Sequence, residues 1–190
     1  MLTTSGSFTL TLGSLPSSEI PSPATGDCHD YFFHYINLVP ANAAGRVLVE
    51  QIGPMQSLFG NLSEAASQSI TPPWTWSLRQ VLGHLCDGER VFGYRAARLA
   101  AGDPTPLPGF DQNVIVDGMN YQDVPIAVLL NEWIGLRLAN IMLFSHVKPE
   151  QYAARGVVDG NPMTTGAAAY ALAGHIEHHL AIVRKRVEKG

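Results

Sequence analysis

The sequence is poor in charge and in cysteine. Of its 190 residues, 15% are charged and 46% are hydrophobic, which excludes a disordered chain, because such chains combine low hydrophobicity with high net charge. Two cysteines, Cys28 and Cys86, are too few for a disulfide framework and too far apart for a local Cys-x-x-Cys metal or redox motif. We therefore expect two reduced thiols in a reducing compartment.

Basic charge and membrane-directing segments are also scarce. The net charge is -4, with 12 basic and 16 acidic residues, so the chain does not attract polyanions and we predict no nucleic-acid partner. No lysine or arginine precedes Arg46, so the charged start of a signal peptide is missing. No uninterrupted apolar run approaches the ~20 residues that span a bilayer. The sequence thus predicts a cytoplasmic protein without a membrane partner.

The chain does contain strong helical periodicity after a segment rich in Ser, Thr, Gly and Pro. We predict that residues 1–27 are a loosely ordered extension that packs on the body or on a partner subunit, and that residues 28–190 are one domain. Apolar positions then recur three and four residues apart, as in helices that bury one face. The four stripes are Leu48, Ile52, Met55, Phe59 and Leu62; Leu78, Leu82, Leu85, Glu89, Phe92, Ala96 and Leu99; Leu129, Trp133, Leu136, Asn140, Leu143 and Val147; and Thr165, Ala168, Leu172, His175, His179, Ile182, Val183 and Val187.

Caps, breakers and connections define how these helices are joined. Gly53 and Pro54 predict either a kink in the first helix or a late start of it, and Ser77 is a suitable N-cap for the second. Residues 102–124 have no sustained period, and residues 150–163 are predicted to be another loop. Because a long link can join parallel helices, the sequence predicts an all-α four-helix bundle with a long crossover after the second helix.

Histidines interrupt the last stripe where apolar side chains are expected. His175 and His179 are four residues apart and therefore project from one face of the helix. Burying such groups without partners costs roughly 1–3 kcal/mol each. A metal ion would explain both, since neutral imidazole is a common ligand, although hydrogen bonds alone could also hold them. A catalytic centre usually has three protein ligands, and His84, beside the second stripe, is the best third candidate. The metalloprotease motif is excluded, because Ile176 stands where its glutamate is required.

Other polar residues lie on or near the core-facing positions. Glu89 could pair with Arg137 across the bundle, orient a histidine, or act as an acid–base group. Tyr94 and Arg95 are expected at a solvated rim. His178 is expected to support a ligand or lie at the surface, and we assign no role to His29, His34 or His146.

Together these segments resemble the DinB-like superfamily of metal-binding four-helix bundles. The resemblance rests on WSLRQVLGHLCDGERVFGYR, the loop PGFDQN, the LLNEW…R stretch of the third helix and AGHIEHHLAIV, and it runs from about Tyr31 to the end. In that family three histidines bind the metal, one on the second helix and two, four apart, on the last. These positions match His84, His175 and His179. The resemblance implies zinc or nickel as the usual ion, with iron or manganese as alternatives, and often a homodimer.

Function within that superfamily is diverse, and fold and ligands do not select one reaction. The resemblance implies a metal-dependent enzyme acting on a small molecule, either a hydrolase or an S-transferase that uses a low-molecular-weight thiol. The alternative is a non-catalytic metal-binding or stress-associated homodimer. Asp111 and Asn113, from PGFDQN, are expected to reach the mouth of the site, and Glu89 is the candidate acid–base residue.

Overall fold

Four long helical segments form the body of the protein, whose computed structural model describes residues 20–188. The helices are α1 (Phe33–Ile36), α2 (Ala44–Glu50), α3 (Ile52–Gly60), α4 (Glu64–Gln68), α5 (Leu78–Ala100), α6 (Gln112–Gly118), α7 (Ile126–His146) and α8 (Thr165–Val187). The strands are β1 (Arg155–Val158) and β2 (Asn161–Thr164), and 3-10 turns lie at Asp30–Phe32, Tyr121–Asp123 and Pro149–Ala153. The pair α2–α3 and the helices α5, α7 and α8 correspond to the four predicted stripes.

The first bundle helix is broken at Gln51, between α2 and α3. Pro54 lacks the N–H that would bond to the carbonyl of Glu50, and its ring crowds that carbonyl. The predicted kink is therefore a break. The side chain of Gln51 is 2% exposed and donates to the carbonyl of Ala173 at 2.8 Å, which places a polar group in the middle of the bundle.

Helix α5 packs against both α7 and α8, and local chemistry sets its limits. Ser77 caps it as predicted: its hydroxyl accepts from the N–H of Gln80, whose side chain accepts in return from the N–H of Ser77. Gly102 follows the last turn with a φ of +71°, a left-handed conformation that glycine adopts without steric cost. Every member of the predicted stripe on this helix is buried.

Helix α7 buries most of its predicted stripe, namely Leu129, Trp133, Asn140 and Val147, and its core-facing surface extends one position beyond that pattern. Leu136 and Leu143 are half-buried, whereas Arg137 and Phe144 are buried. The helix is also long and apolar enough to cross a membrane by length and composition alone, with a mean hydropathy of 1.4, although polar residues interrupt its apolar runs. Because its buried Arg137 and Asn140 form hydrogen bonds inside the bundle, α7 has the character of a core helix.

The two predicted loops contain regular structure, and the prediction was wrong there. Residues 150–163 form most of a 3-10 turn and the antiparallel hairpin β1–β2. Its turn, Asp159–Gly160, has φ angles of 51° and 72°, as a two-residue type I′ turn requires. Within residues 102–124, helix α6 begins after Asp111, whose carboxylate accepts from the N–H of Asn113 at 2.8 Å.

The long connection is held against the hairpin by backbone hydrogen bonds. Leu107 donates to the carbonyl of Val157 and accepts from the N–H of Asp159, both at 2.9 Å. This pairing draws residues 107–111 over one end of α5. The connection thereby becomes a wall of the candidate site.

The last part of the N-terminal extension packs on the bundle. Ile20 is fully buried, Ser22 Oγ lies 3.1 Å from the hydroxyl of Tyr170, and Asp27 accepts from Arg155 at 2.8 Å. Residues 20–27 are thus attached to α8 and the hairpin. The prediction for residues 1–19 lies outside the described residues.

Candidate metal centre

Three imidazoles meet between α5 and α8. His84 Nε2 lies 2.9 Å from His175 Nε2, and one ring nitrogen from each of His84, His175 and His179 falls within 4.8 Å of the others. His84 is 3% and His175 4% exposed, while His179 is half-buried. The structure therefore brings together the three histidines that the sequence predicts as ligands.

Two glycines allow the helices to approach closely enough for this arrangement. A Cβ atom on Gly88 of α5 would lie 3.0 Å from the ring of His175. A Cβ atom on Gly174 of α8 would lie 2.1 Å from the carbonyl oxygen of Tyr35, which is closer than any real contact. Gly174 thus allows α1 to rest on α8 beside the histidines, and Gly88 leaves room for the His175 imidazole.

The environment keeps these imidazoles neutral. Burial lowers the pKa of His84 to about 4 and that of His179 to about 3, and in each case the charge of His178 adds to the effect. Burial, helped by the neighbouring histidines, also lowers the pKa of His175 well below its usual value. Neutral imidazole is the form that binds metal ions, so the rings are in the ligand form near neutral pH.

The ring nitrogens lack other protein partners. The Nδ1 atoms of His84 and His175 are buried and have no hydrogen-bond partner among the described residues. A hydrogen bond between the two Nε2 atoms would serve His84 and His175 but not His179, whereas a divalent cation can bind one nitrogen of all three neutral rings. The donor set therefore fits a divalent cation.

A cavity of about 570 Å³ opens onto the histidine cluster, which is within the usual size range of small-molecule sites. Both His84 and His175 line it, and so do Asp111 and Asn113, which the sequence placed at the mouth of the site. Aromatic side chains provide much of the remaining wall: Tyr31, Phe32, Tyr35, Phe92 and Phe110. A small organic molecule could therefore reach the imidazoles.

The other histidines occupy more peripheral positions. His178 is half-buried, with its ring centroid 5.1 Å from that of His179 and 5.4 Å from that of Tyr35. His29 is exposed and lines the cavity, although the sequence suggested no role for it. His34 and His146 are exposed.

Glu89 lies in a separate polar network rather than in the cavity wall. Its carboxylate accepts from Arg137 Nε at 2.9 Å and from Asn140 Nδ2 at 2.7 Å. The Glu89–Arg137 ion pair is fully buried. The structure thus shows the cross-bundle pairing that was one of the three interpretations of Glu89.

Arg95 lines the cavity, which the sequence did not predict. It was expected at a solvated rim, but it is only 5% exposed and faces the same cavity as His84. Its burial follows from the connection that folds over α5, a contact between distant segments. The available signal was its spacing: Arg95 lies about three helical turns after His84 and so shares its face of α5.

The fold and the cluster place this protein in a class: helical bundles with a candidate three-histidine metal site between the second and the last bundle helix. The family model of the DinB superfamily matches residues 48–183. The chain therefore belongs to the DinB superfamily, which confirms the resemblance found in the sequence. A comparison with curated proteins finds no match.

A solved structure supports the fold. It is YfiT from Bacillus subtilis, described as a probable metal-dependent hydrolase with an unusual four-helix bundle topology. The two structures superpose with a TM-score of 0.69 over 88% of this chain and 91% of that chain, at 14% sequence identity. At this identity the similarity concerns the fold, and it confirms the predicted four-helix bundle.

Proposed function

We propose that this protein is a metal-dependent enzyme whose divalent ion is held by His84, His175 and His179. The observation that carries the proposal is the convergence of three imidazoles, two of them buried and lining a cavity of about 570 Å³. Three protein ligands with access for an outside molecule are typical of catalytic centres. Zinc or nickel suits imidazole ligands.

The bound ion would polarise a substrate oxygen or make a nucleophile of bound water or a bound thiol near neutral pH. The chain's own residues hold the site in place: Gly88 and Gly174 allow close packing, and aromatic side chains give the cavity an apolar wall. Glu89 would act by keeping α5 and α7 in register through Arg137. We therefore propose a positioning role for Glu89 rather than proton transfer.

The nucleophile would come from outside the protein. Burial raises the pKa of Cys28 to about 11 and raises that of Cys86 further, so neither thiol ionises near neutral pH. Water as the nucleophile gives a hydrolase, the activity named for the YfiT structure. A low-molecular-weight thiol gives the S-transferase suggested by the sequence resemblance. We propose hydrolysis first, with thiol transfer as the second candidate.

A non-catalytic metal-binding protein is the competing class. A purely structural site would have a closed sphere of four protein ligands. Within residues 20–188 the cluster contains three candidate ligands, and no cysteine or carboxylate joins them. The open cavity therefore favours catalysis.

Elemental analysis of the purified protein tests the site. Wild-type protein should contain about one equivalent of zinc or nickel per chain, while His175→Ala and His179→Ala should contain little. The exposed His146 provides the control, since His146→Ala should keep the metal. Equal metal content in all four proteins would eliminate the site.

Turnover tests the enzyme class separately. Hydrolysis of p-nitrophenyl esters, with and without added cysteine as a thiol, should depend on the metal. Metal-free protein that keeps full turnover would contradict the mechanism. A metal-containing protein whose fold collapses on chelation, and which turns over neither type of substrate, would favour the structural class.

Two expectations about the cellular context stay predictions. The family resemblance predicts a homodimer, which sedimentation velocity of the purified protein would test. The composition predicts a cytoplasmic location without nucleic-acid or membrane partners, and the family resemblance predicts a small-molecule substrate. Fractionation of cells that express the protein would test the location.

A further inference from the structure

Arg95 is a buried cation in the wall of the cavity that reaches the histidines. It is 5% exposed, and it shares the cavity with His84 and His175. The ring centroids of His175 and Phe92 are 6.3 Å apart, and Cζ of Arg95 lies a further 5.8 Å from the Phe92 ring. The guanidinium therefore lies no more than about 12 Å from the His175 ring, a distance that a small organic molecule can bridge.

The charge of Arg95 has no close carboxylate partner. Its one hydrogen bond within residues 20–188 is donated to the carbonyl of Pro108 at 2.9 Å, although a guanidinium has five N–H donors. The centroids of the Phe92 and Phe110 rings lie 5.8 and 5.6 Å from Cζ. Burial lowers the pKa of Arg95, and the charge of Asp159 opposes this effect only in part.

The other buried arginines of the described chain show that this is unusual. Arg137 is paired with Glu89, and Arg79 is paired with Glu64. A buried charge is normally paired because desolvation is costly. Arg95 differs from both in that no carboxylate lies within ion-pair distance, and it differs further in that it faces a cavity.

Asp159 is the nearest source of compensation. It also lines the cavity, and its charge partly opposes the lowering of the Arg95 pKa. Its side chain is exposed and lies against Gly109, where a Cβ atom would be 2.5 Å from Asp159 Oδ1. Asp159 therefore acts on Arg95 through space, and an incoming anion would compete with it.

We propose that Arg95 binds an anionic group of the substrate, such as a carboxylate, and that the enzyme acts on small organic anions. The guanidinium fork matches the geometry of an oxyanion, and the flanking aromatic rings would cover the apolar part of the molecule. Arg95 is then a specificity residue that orients the reactive end of the substrate toward the histidines. The claim that the bound anion is a substrate rests on the proposed function, whereas the binding of the anion by Arg95 does not require the metal.

A matched pair of probes separates charge recognition from shape. Phenylacetate and phenylacetamide differ in charge but hardly in size, and each can be titrated by calorimetry into zinc-free and zinc-loaded protein. Wild-type protein should bind the acid about tenfold or more tightly than the amide in both forms, since hydrogen bonds to charged groups are strong. The zinc-free titration excludes binding of the acid to the metal.

Substitutions then assign the preference to Arg95. Arg95→Gln should weaken phenylacetate about tenfold or more and leave phenylacetamide unchanged. If Arg95 only supported Pro108, both probes would weaken together. Asp159→Asn is the control, and it should bind phenylacetate as tightly as wild type or more tightly. If Arg95→Gln does not fold, the wild-type preference and the Asp159→Asn result still test the proposal.

The outcomes separate this inference from the proposed function. Equal affinity of wild-type protein for the two probes, binding of neither probe, or an unchanged preference in Arg95→Gln overturns the role of Arg95. Absence of bound zinc together with an Arg95-dependent preference would refute the metal site and retain the anion site. Bound zinc without an Arg95-dependent preference would retain the metal site and refute the anion site.

Discussion

Among the buried polar clusters of the described chain, two that lie between the bundle helices differ in how far their polar atoms are satisfied. The first is centred on Glu89 and Arg137. Arg137 is fully buried and donates to Glu89, to the side chain of Gln51 at 2.6 Å and to the carbonyl of Leu48 at 3.0 Å. Asn140 completes the network by donating to Glu89. Hydrogen bonds within this cluster therefore offset the cost of burying its polar groups.

The second cluster consists of His84, His175 and His179, and it does not satisfy itself. Nδ1 of His84 and Nδ1 of His175 lack partners within the described part of the chain, and the cluster opens to the cavity. Both clusters appear in the sequence as polar residues on apolar stripes. The comparison teaches that burial of polar residues does not indicate function by itself; what distinguishes the histidines is that three imidazoles converge and that a cavity opens onto them.

Breaking the satisfied cluster should have the largest effect on stability. Arg137→Met leaves the carboxylate of Glu89 buried without its cation, and we expect a loss of about 3–5 kcal/mol in the free energy of unfolding. Urea denaturation measures this loss.

An exposed ion pair provides the control for that substitution. Arg46 and Glu50 are paired at 2.9 Å with side chains 61% and 55% exposed, so Arg46→Met should cost less than about 1 kcal/mol. Similar losses for Arg137→Met and Arg46→Met would show that the buried network contributes no more than a surface pair.

Acidification should act on the unsatisfied cluster in the metal-free protein. The pKa values of His84 and His179, about 4 and about 3, are below the usual 6.5, so between pH 6.5 and about 4 the unfolded chain binds more protons than the folded chain. Stability therefore falls as the pH falls through this window. For one such imidazole the loss from pH 7 to pH 5 is about 2 kcal/mol.

Urea titrations at several pH values measure that loss. The zinc-free His84→Ala variant isolates the contribution of His84, because all other titrating groups are the same in both proteins. Its stability should change less between pH 7 and pH 5 than that of wild type. Parallel pH profiles for the two proteins would show that His84 is not kept neutral by burial.

Residues that act through helical periodicity were predictable from the sequence. The four stripes, the Ser77 cap and the shared face of His175 and His179 all follow from 3.6-residue spacing. The sequence also predicted His84 as the third ligand, because His84 lies at the edge of the apolar stripe on the second bundle helix and matches the family's histidine position. These features depend on local sequence, which is why they could be read without coordinates.

Features that depend on contacts between distant segments were not predictable in the same way. The hairpin and α6 are short elements whose stability comes from pairing and packing, such as the hydrogen bonds between Leu107 and the hairpin. Asp159–Gly160 was a hairpin signal that the loop interpretation overlooked. Arg95 is buried only because the long connection folds over α5, so its position depends on the tertiary structure.

The smallest predicted effect concerns the space beside His175. Glycine inside a helix is usually less stable than alanine by roughly 0.5–1 kcal/mol. A Cβ atom on Gly135 would meet nothing within 4 Å, so Gly135→Ala should gain that amount and leave zinc affinity unchanged. Gly88→Ala should gain nothing, because its Cβ would lie 3.0 Å from the His175 ring. The displaced ring should weaken zinc binding roughly tenfold, as measured by competition with a chelator. The two substitutions are matched, because each adds one methyl group to a long helix. If both variants gained equal stability and bound zinc equally well, the histidine cluster would tolerate a shift of His175. Its packing would then be less tightly constrained than that of the Glu89 network.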